Sequence, residues 1–271
     1  GYVSTHTYSN TEYESLESQY PTYYGDLFES SGELSPCGEW PPSKSPIGHP
    51  SDVPMVFVAY PPGFEEYATA ILKICETGFL KYVEVFGLST ADIHIFIRTN
   101  QESLFACYSH EYRIFNYLRS IDDCRPPPNG AHHVYGFLHE MGHMVFSTDN
   151  GAFNQGWAHY AASRIVDEVY RELGDTAWPR PYNYSKTEGK QRLLADIART
   201  QPGTYDAASG VLYTIDQRHG PTIFKATIDK MHPTYIGVYR YPLYSLEEFK
   251  STLVELTNDE SLLELFSENG F

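Results

Sequence analysis

Two histidines four residues apart, with a glutamate directly after the first, constrain this chain more than any other feature: His139-Glu140-Met141-Gly142-His143. On an α-helix, residues four apart lie one above the other on the same face, so this spacing can present two imidazole nitrogens to one metal ion. Glu140 would then face the neighbouring open coordination position. There a carboxylate can take a proton from zinc-activated water and hand it to a leaving amine. Val134, Phe137, Leu138, Met141 and Val145 recur at spacings of three and four, which predicts a helix with a buried apolar side.

A catalytic zinc takes three protein ligands and one water, so the pattern calls for a third ligand. In the metzincin continuation, HExxHxxGxxH or HExxHxxGxxD, Asp149 falls at the last position. The turn glycine of that pattern is Phe146 here, and a bulky residue is disfavoured at positive φ. The segment Phe153-Asn154-Gln155-Gly156-Trp157-Ala158-His159-Tyr160-Ala161-Ala162 instead resembles the ligand helix of the gluzincin zinc metallopeptidases, N-E-G-x-A-x-Y. One position departs from the family pattern: Gln155 stands where the metal-binding glutamate belongs. Gln155 keeps a carbonyl oxygen but no charge, and His159, one turn along the same face, is the better ligand by chemistry. In thermolysin-like gluzincins that later position holds a carboxylate orienting a ligating histidine. Gln155, His159, Asp149, Glu168 or no third ligand all remain open at this point.

The resemblance covers residues 50 to 235 and implies an α+β fold: a gluzincin or zincin-like catalytic domain with a small mixed β-sheet, the HExxH helix, and a mostly helical C-terminal lobe. The local patterns follow that order. Met55–Ala59 with Tyr60 is a short apolar run bounded by prolines, and Ile93, Ile95 and Ile97 alternate with His94, Phe96 and Arg98; both read as strands. Between them Tyr67, Ile71, Ile74, Cys75, Leu80 and Val83 trace a helical stripe ending at Gly87, a C-cap glycine. Ala106–His110 is expected to form an edge strand onto which an extended peptide could add.

The same resemblance implies a zinc-dependent peptidase acting on peptide or protein substrates, with zinc on His139 and His143 and Glu140 as general base and then acid. Residues 205–213 and 217–220 resemble a gluzincin C-terminal helix; in aminopeptidase-like relatives such a helix carries a tyrosine that hydrogen-bonds the oxyanion, and the resemblance puts Tyr205 in that role, with Tyr213 and His219 as substitutes. A phenol with a pKa near 10 stays a neutral donor there. No GAMEN-like anchor for a free N-terminus is present, which favours an endopeptidase. The alternative is a degenerate gluzincin that binds a peptide, glycan or protein without cutting it. His132 and His133, just before the motif, read as capping or cleft-lining residues, since adjacent residues rarely converge on one ion.

Composition bounds these readings. A chain of 271 residues can bury one substantial core or two lobes. The net charge of −16 argues against nucleic acid and anionic membranes as partners, and no apolar run approaches the roughly 18 residues of a membrane span. Oligomeric state is left open. Cys37, Cys75, Cys107 and Cys124 have no CxxC spacing, so they suit two disulfides of an exported protein, or, for Cys75, a buried thiol. The Asn183-Tyr184-Ser185 sequon and the richness in Tyr, Ser and Thr lean toward a secreted or cell-envelope location. Residues 1–50, interrupted by Pro36, Pro41, Pro42, Pro46 and Pro50, read as an extended arm or pro-segment. Residues 51–271 form the zincin-like domain, with a sheet-bearing lobe over 51–150 and a helical lobe over 151–271.

Overall fold

The computed structural model describes residues 4–7, 55–59, 65–87, 93–99, 105–109, 113–118, 130–173, 201–236 and 241–271. The N-terminal arm apart from 4–7, Cys37, Cys124, the connection from Trp178 to Tyr184 and the sequon at Asn183 lie outside the described residues. The chain divides into two compact units, one of Gly1–Thr77, Ser89–Glu140 and Glu172–Asn183, the other of Gly78–Leu88, Met141–Arg171 and Tyr184–Phe271.

In the first unit five strands are described as backbone: β1 (Ser4–Thr7), β2 (Met55–Ala59), β3 (Ile93–Thr99), β4 (Phe105–Ser109) and β5 (Arg113–Leu118), in the order β1-β2-β3-β5-β4. β4 and β5 pair antiparallel, with Cys107 opposite Phe115, and the other pairs are parallel. The α+β class expected from the sequence is nevertheless corrected. The fully described part of the chain is 78% helical and 4% strand, and its core is closed helix on helix. The physical reason is that the most deeply buried segments are helical: residues 141–145 and 156–163 are buried without a break, so helices enclosed on all sides, rather than one face of a sheet, fill this core.

Helix α1 (Glu65–Phe86) shows how that period works. Its buried positions are Ile71, Ile74, Cys75, Thr77, Gly78, Phe79, Tyr82 and Phe86, while Leu80 is 41% exposed and Val83 only half-buried. The stripe expected through Leu80 and Val83 is therefore corrected by about one residue, because 71, 75, 79, 82 and 86 stay on one face at 3.6 residues per turn. Gly87 ends the helix at φ +74°, its amide donating to the Val83 carbonyl at 3.0 Å. Cys75 is a buried free thiol, pushed far up by burial, so the expectation of two disulfides is corrected as well.

The second unit is built on α3 (Gly151–Leu173), which follows α2 (Gly130–Val145) after a five-residue turn. Four more helices follow: α4 (Tyr205–His219), α5 (Thr222–Lys230), α6 (Leu246–Thr257) and α7 (Ser261–Glu268), with a hairpin of β6 (Thr234–Ile236) and β7 (Tyr241–Leu243) between α5 and α6. Trp157 of α3 is fully buried, with the rings of Phe146, Phe86, Phe224, Tyr160 and Phe249 around it at 4.8 to 6.3 Å. Phe153 joins this cluster to Phe266 and Phe271 at the C-terminus. Local chemistry sets the helix ends. Thr204 caps α4 by accepting the Ala207 amide, Ser245 caps α6 by accepting the Glu248 amide, and Asn258 takes the left-handed conformation (φ 52°) that stops α6. Among the described residues no helix is long and apolar enough to cross a membrane.

Candidate functional site

Helix α2 carries His139, Glu140 and His143 on two successive turns. Phe137, Leu138, Met141, Met144 and Val145 of the same helix are buried. His139 and Glu140 are half-buried and His143 is 7% exposed. Tyr135, one turn before His139, lies with its ring 6.2 Å from the imidazole. The two turns therefore carry two imidazoles and one carboxylate beside side chains, Phe137, Leu138, Met141, Met144 and Val145, that are packed inside. Of His132 and His133 the backbone alone is described, in the first turn of α2.

The turn after His143 is held without glycine. Phe146 is buried, stacked on Tyr244 at 5.3 Å and packed against Trp157 and Phe249, and among the described residues Asn258 is the one non-glycine with positive φ. The chain thus leaves α2 in a different conformation from the metzincin turn. Asp149, the metzincin candidate, accepts the Leu246 amide at 3.0 Å and donates its own amide to the Tyr244 carbonyl at 3.1 Å. Its carboxylate serves as a brace to the start of α6. Asn154 clamps the same turn: its amide oxygen accepts both the backbone amide and the hydroxyl of Thr148, and its Nδ2 donates to the Thr148 carbonyl at 2.9 Å. Asn150 caps α3 by accepting the Phe153 amide at 3.0 Å.

Helices α2 and α3 cross at glycine and alanine. A methyl group at Gly142 would stand 2.9 Å from the Ala158 Cα, and the Trp157 indole donates to the Gly142 carbonyl at 3.1 Å. The residues adjacent to this crossing are His143 on one helix and His159 on the other. His159 is buried at 5% exposure, and the Tyr205 ring meets it edge-on at 6.1 Å and 80°. Gln155, one turn earlier on α3, is exposed. Tyr205 opens α4 and is 49% exposed. The structure therefore joins two of the residues singled out in the sequence, His159 and Tyr205, in one ring contact.

Further along α3 and α4 lies a polar group that the sequence did not reveal. The Tyr160 hydroxyl donates to Asp216 at 3.0 Å, and Arg164 reaches Asp216 at 3.6 Å and Glu168 at 3.3 Å. Burial, with the Asp216 carboxylate beside it, drives the Tyr160 phenol far above its usual range. Burial also raises the Asp216 carboxyl, against the Tyr160 hydrogen bond and the Arg164 charge. Glu168, a candidate third ligand, is thus the ion-pair partner of Arg164. His219, a candidate oxyanion donor, lies 3.0 Å from the Asp259 carboxylate at the far end of α4.

The donor set meets the needs of zinc in part. The His139–His143 spacing suits two ligands, but among the described residues no group of three or more His, Cys, Asp and Glu side chains gathers as a metal requires. The remaining position of the gluzincin pattern offers a neutral amide, Gln155. Asn154 and Trp157 could have been suspected from the motif, since both sit within it. The Tyr160–Asp216–Arg164 group could not, because Tyr160 and Asp216 are 56 residues apart along the chain, on different helices.

No family model matches the chain, and no curated protein matches it. Among solved structures it is similar to a mutant of the M1 zinc metallopeptidase from Deinococcus radiodurans, at a TM-score of 0.44 and 9% identity. That likeness covers 77% of this chain and 46% of the other, so the chain spans less than half the length of that structure.

Proposed function

We propose that the chain is a zinc-dependent peptidase of gluzincin type acting on peptide or protein substrates. The observation that carries this reading is the pair of turns on α2, where His139 and Glu140 keep partial access to solvent between the buried Phe137, Leu138 and Met141. In this reading His139 and His143 hold zinc, with the Gln155 amide or the His159 imidazole as third donor. Zinc, when bound, supplies a positive centre that polarises the peptide carbonyl and acidifies water. Glu140 takes the proton of the attacking water and passes it to the leaving amine, and the Tyr205 phenol donates a hydrogen bond to the carbonyl oxygen as it gains charge. Trp157, fully buried among five rings, anchors the part of α3 that carries His159.

Elemental analysis of the purified protein together with hydrolysis of a quenched-fluorescence peptide library tests this. One zinc per chain is expected, with Glu140→Gln retaining the metal and losing at least about 100-fold in rate. Undiminished cleavage by a metal-loaded Glu140→Gln protein would sink the mechanism. A second reading, a gluzincin that binds peptides without cutting them, is favoured by Gln155 and by the lack of a three-ligand cluster among the described residues. Its mark is little zinc in the native protein and full zinc in Gln155→Glu.

A further inference from the structure

Gly156 lies where α3 and α4 meet most closely. A Cβ at this position would stand 2.3 Å from the Ala208 Cβ, 2.7 Å from the Tyr205 carbonyl oxygen and 3.0 Å from the Ser209 amide. Two of those three neighbours are backbone, so no side-chain rotation relieves the clash. The buried Ser209 hydroxyl sits in the same joint, 3.0 Å from the Gly156 carbonyl on α3 and 3.0 Å from the Tyr205 carbonyl on its own helix. Tyr205, whose carbonyl is gripped in this way, is the residue whose ring meets His159, three positions after Gly156 on α3. Tyr205 is half exposed, so burial alone does not fix its ring.

We infer that Gly156 is a positioning residue: with the Ser209 hydroxyl it sets how closely α4 lies on α3, and so holds Tyr205 against His159. The glycine of the NQG segment is then needed for approach rather than for turning, since it sits inside a regular helix. A methyl group would push the first turn of α4 outward by a fraction of an ångström to an ångström, and displacement of that size costs an oriented reaction about 10- to 100-fold. The catalytic consequence rests on the proposed peptidase reading; the contact itself rests on the geometry alone.

The test reads both separately. In protein carrying 13C-labelled histidine, the His159 ring signals are assigned by their loss in His159→Gln, and Tyr205→Leu defines the shift produced when the phenol ring is gone. Gly156→Ala is expected to move the His159 signals toward those of Tyr205→Leu and to lower kcat about 10- to 100-fold with KM within about twofold. Ser209→Ala, which adds no bulk, is expected to move them less in the same direction. A folded Gly156→Ala protein with unchanged His159 signals overturns the inference. Moved signals with an unchanged kcat overturn the positioning role. Should Gly156→Ala fail to fold, Ser209→Ala decides, and an unshifted His159 ring there overturns it. A wild-type protein without peptidase activity fails the functional reading alone, and the ring signals still decide whether the joint holds.

Discussion

The two ends of α4 are fastened by different physics. At its first turn, Gly156, Ala208 and Ser209 meet without a charge, through close backbone approach and one shared hydroxyl. At its last turn, Arg218 and His219 meet Asp259 in the link between α6 and α7, at 3.8 and 3.0 Å, with all three side chains partly exposed. Asp259 also accepts the hydroxyl and amide of Ser261, so one carboxylate ties the first residue of α7 to the end of α4. Between them sits the Tyr160–Asp216–Arg164 group, with Tyr160 and Asp216 buried and Arg164 partly exposed. Shape is short-ranged and indifferent to pH, whereas exposed ion pairs are adaptable, screened by salt and individually weak. The end carrying Tyr205 is thus held by the contact that tolerates least displacement.

The strongest way to break this contrast is to remove the platform beneath the shape-held end. Trp157→Ala deletes a fully buried indole with five ring neighbours and its hydrogen bond to the Gly142 carbonyl, and is expected to cost about 3–5 kcal/mol in chemical denaturation. A loss under about 1 kcal/mol would mean that α2 and α3 are not held by this cluster. The middle of α4 gives a smaller effect. Asp216→Ala strips the Tyr160 hydroxyl of its acceptor and should cost about 1–3 kcal/mol at neutral pH. Adding Tyr160→Phe should cost little more, because the two residues share one interaction. Additive losses in that double-mutant cycle would show that Asp216 acts mainly through Arg164.

Relations within one helix were more legible in the sequence than relations between helices, for reasons that particular residues make plain. His139 and His143 could be read as a pair because their relation is fixed by one helix, within a single turn. The α1 stripe was legible in kind but misplaced at Leu80 and Val83, since both are apolar and the helix face is decided by Phe79 and Tyr82. The α+β class rested on the gluzincin resemblance, with the alternation at Ile93, Ile95 and Ile97 in support, and a local pattern does not reveal how much of the core helices will close on one another. Asp149 and Glu168 illustrate the opposite failure. Each is a plausible ligand by type, and each is taken by a partner distant in sequence or one turn away: the Leu246 amide and Arg164. The contact of Tyr205 with His159 depends on Gly156 lying against Ala208, a relation between helices that no local spacing encodes.

The smallest expected effect sharpens the comparison most, because it separates the two ends by pH. Hydrogen bonds from Ser261 and then His219 hold the Asp259 carboxyl below its ordinary range. The folded protein therefore favours the ionised form, and binds fewer protons at this site than the unfolded chain does. Its contribution is complete above the ordinary carboxylate range, near pH 4, and is lost as pH falls through the depressed folded value. Thermal unfolding of wild type and Asp259→Asn should accordingly differ by a constant small amount from neutral pH down to about 5, with the gap closing in stronger acid. Ser209→Ala, at the other end of the same helix, involves no titrating group in its contact and should lower Tm equally across that range. A gap for Asp259→Asn that persists unchanged into acid would mean that the carboxylate holds α4 by shape as well, and the contrast between the two ends would fall.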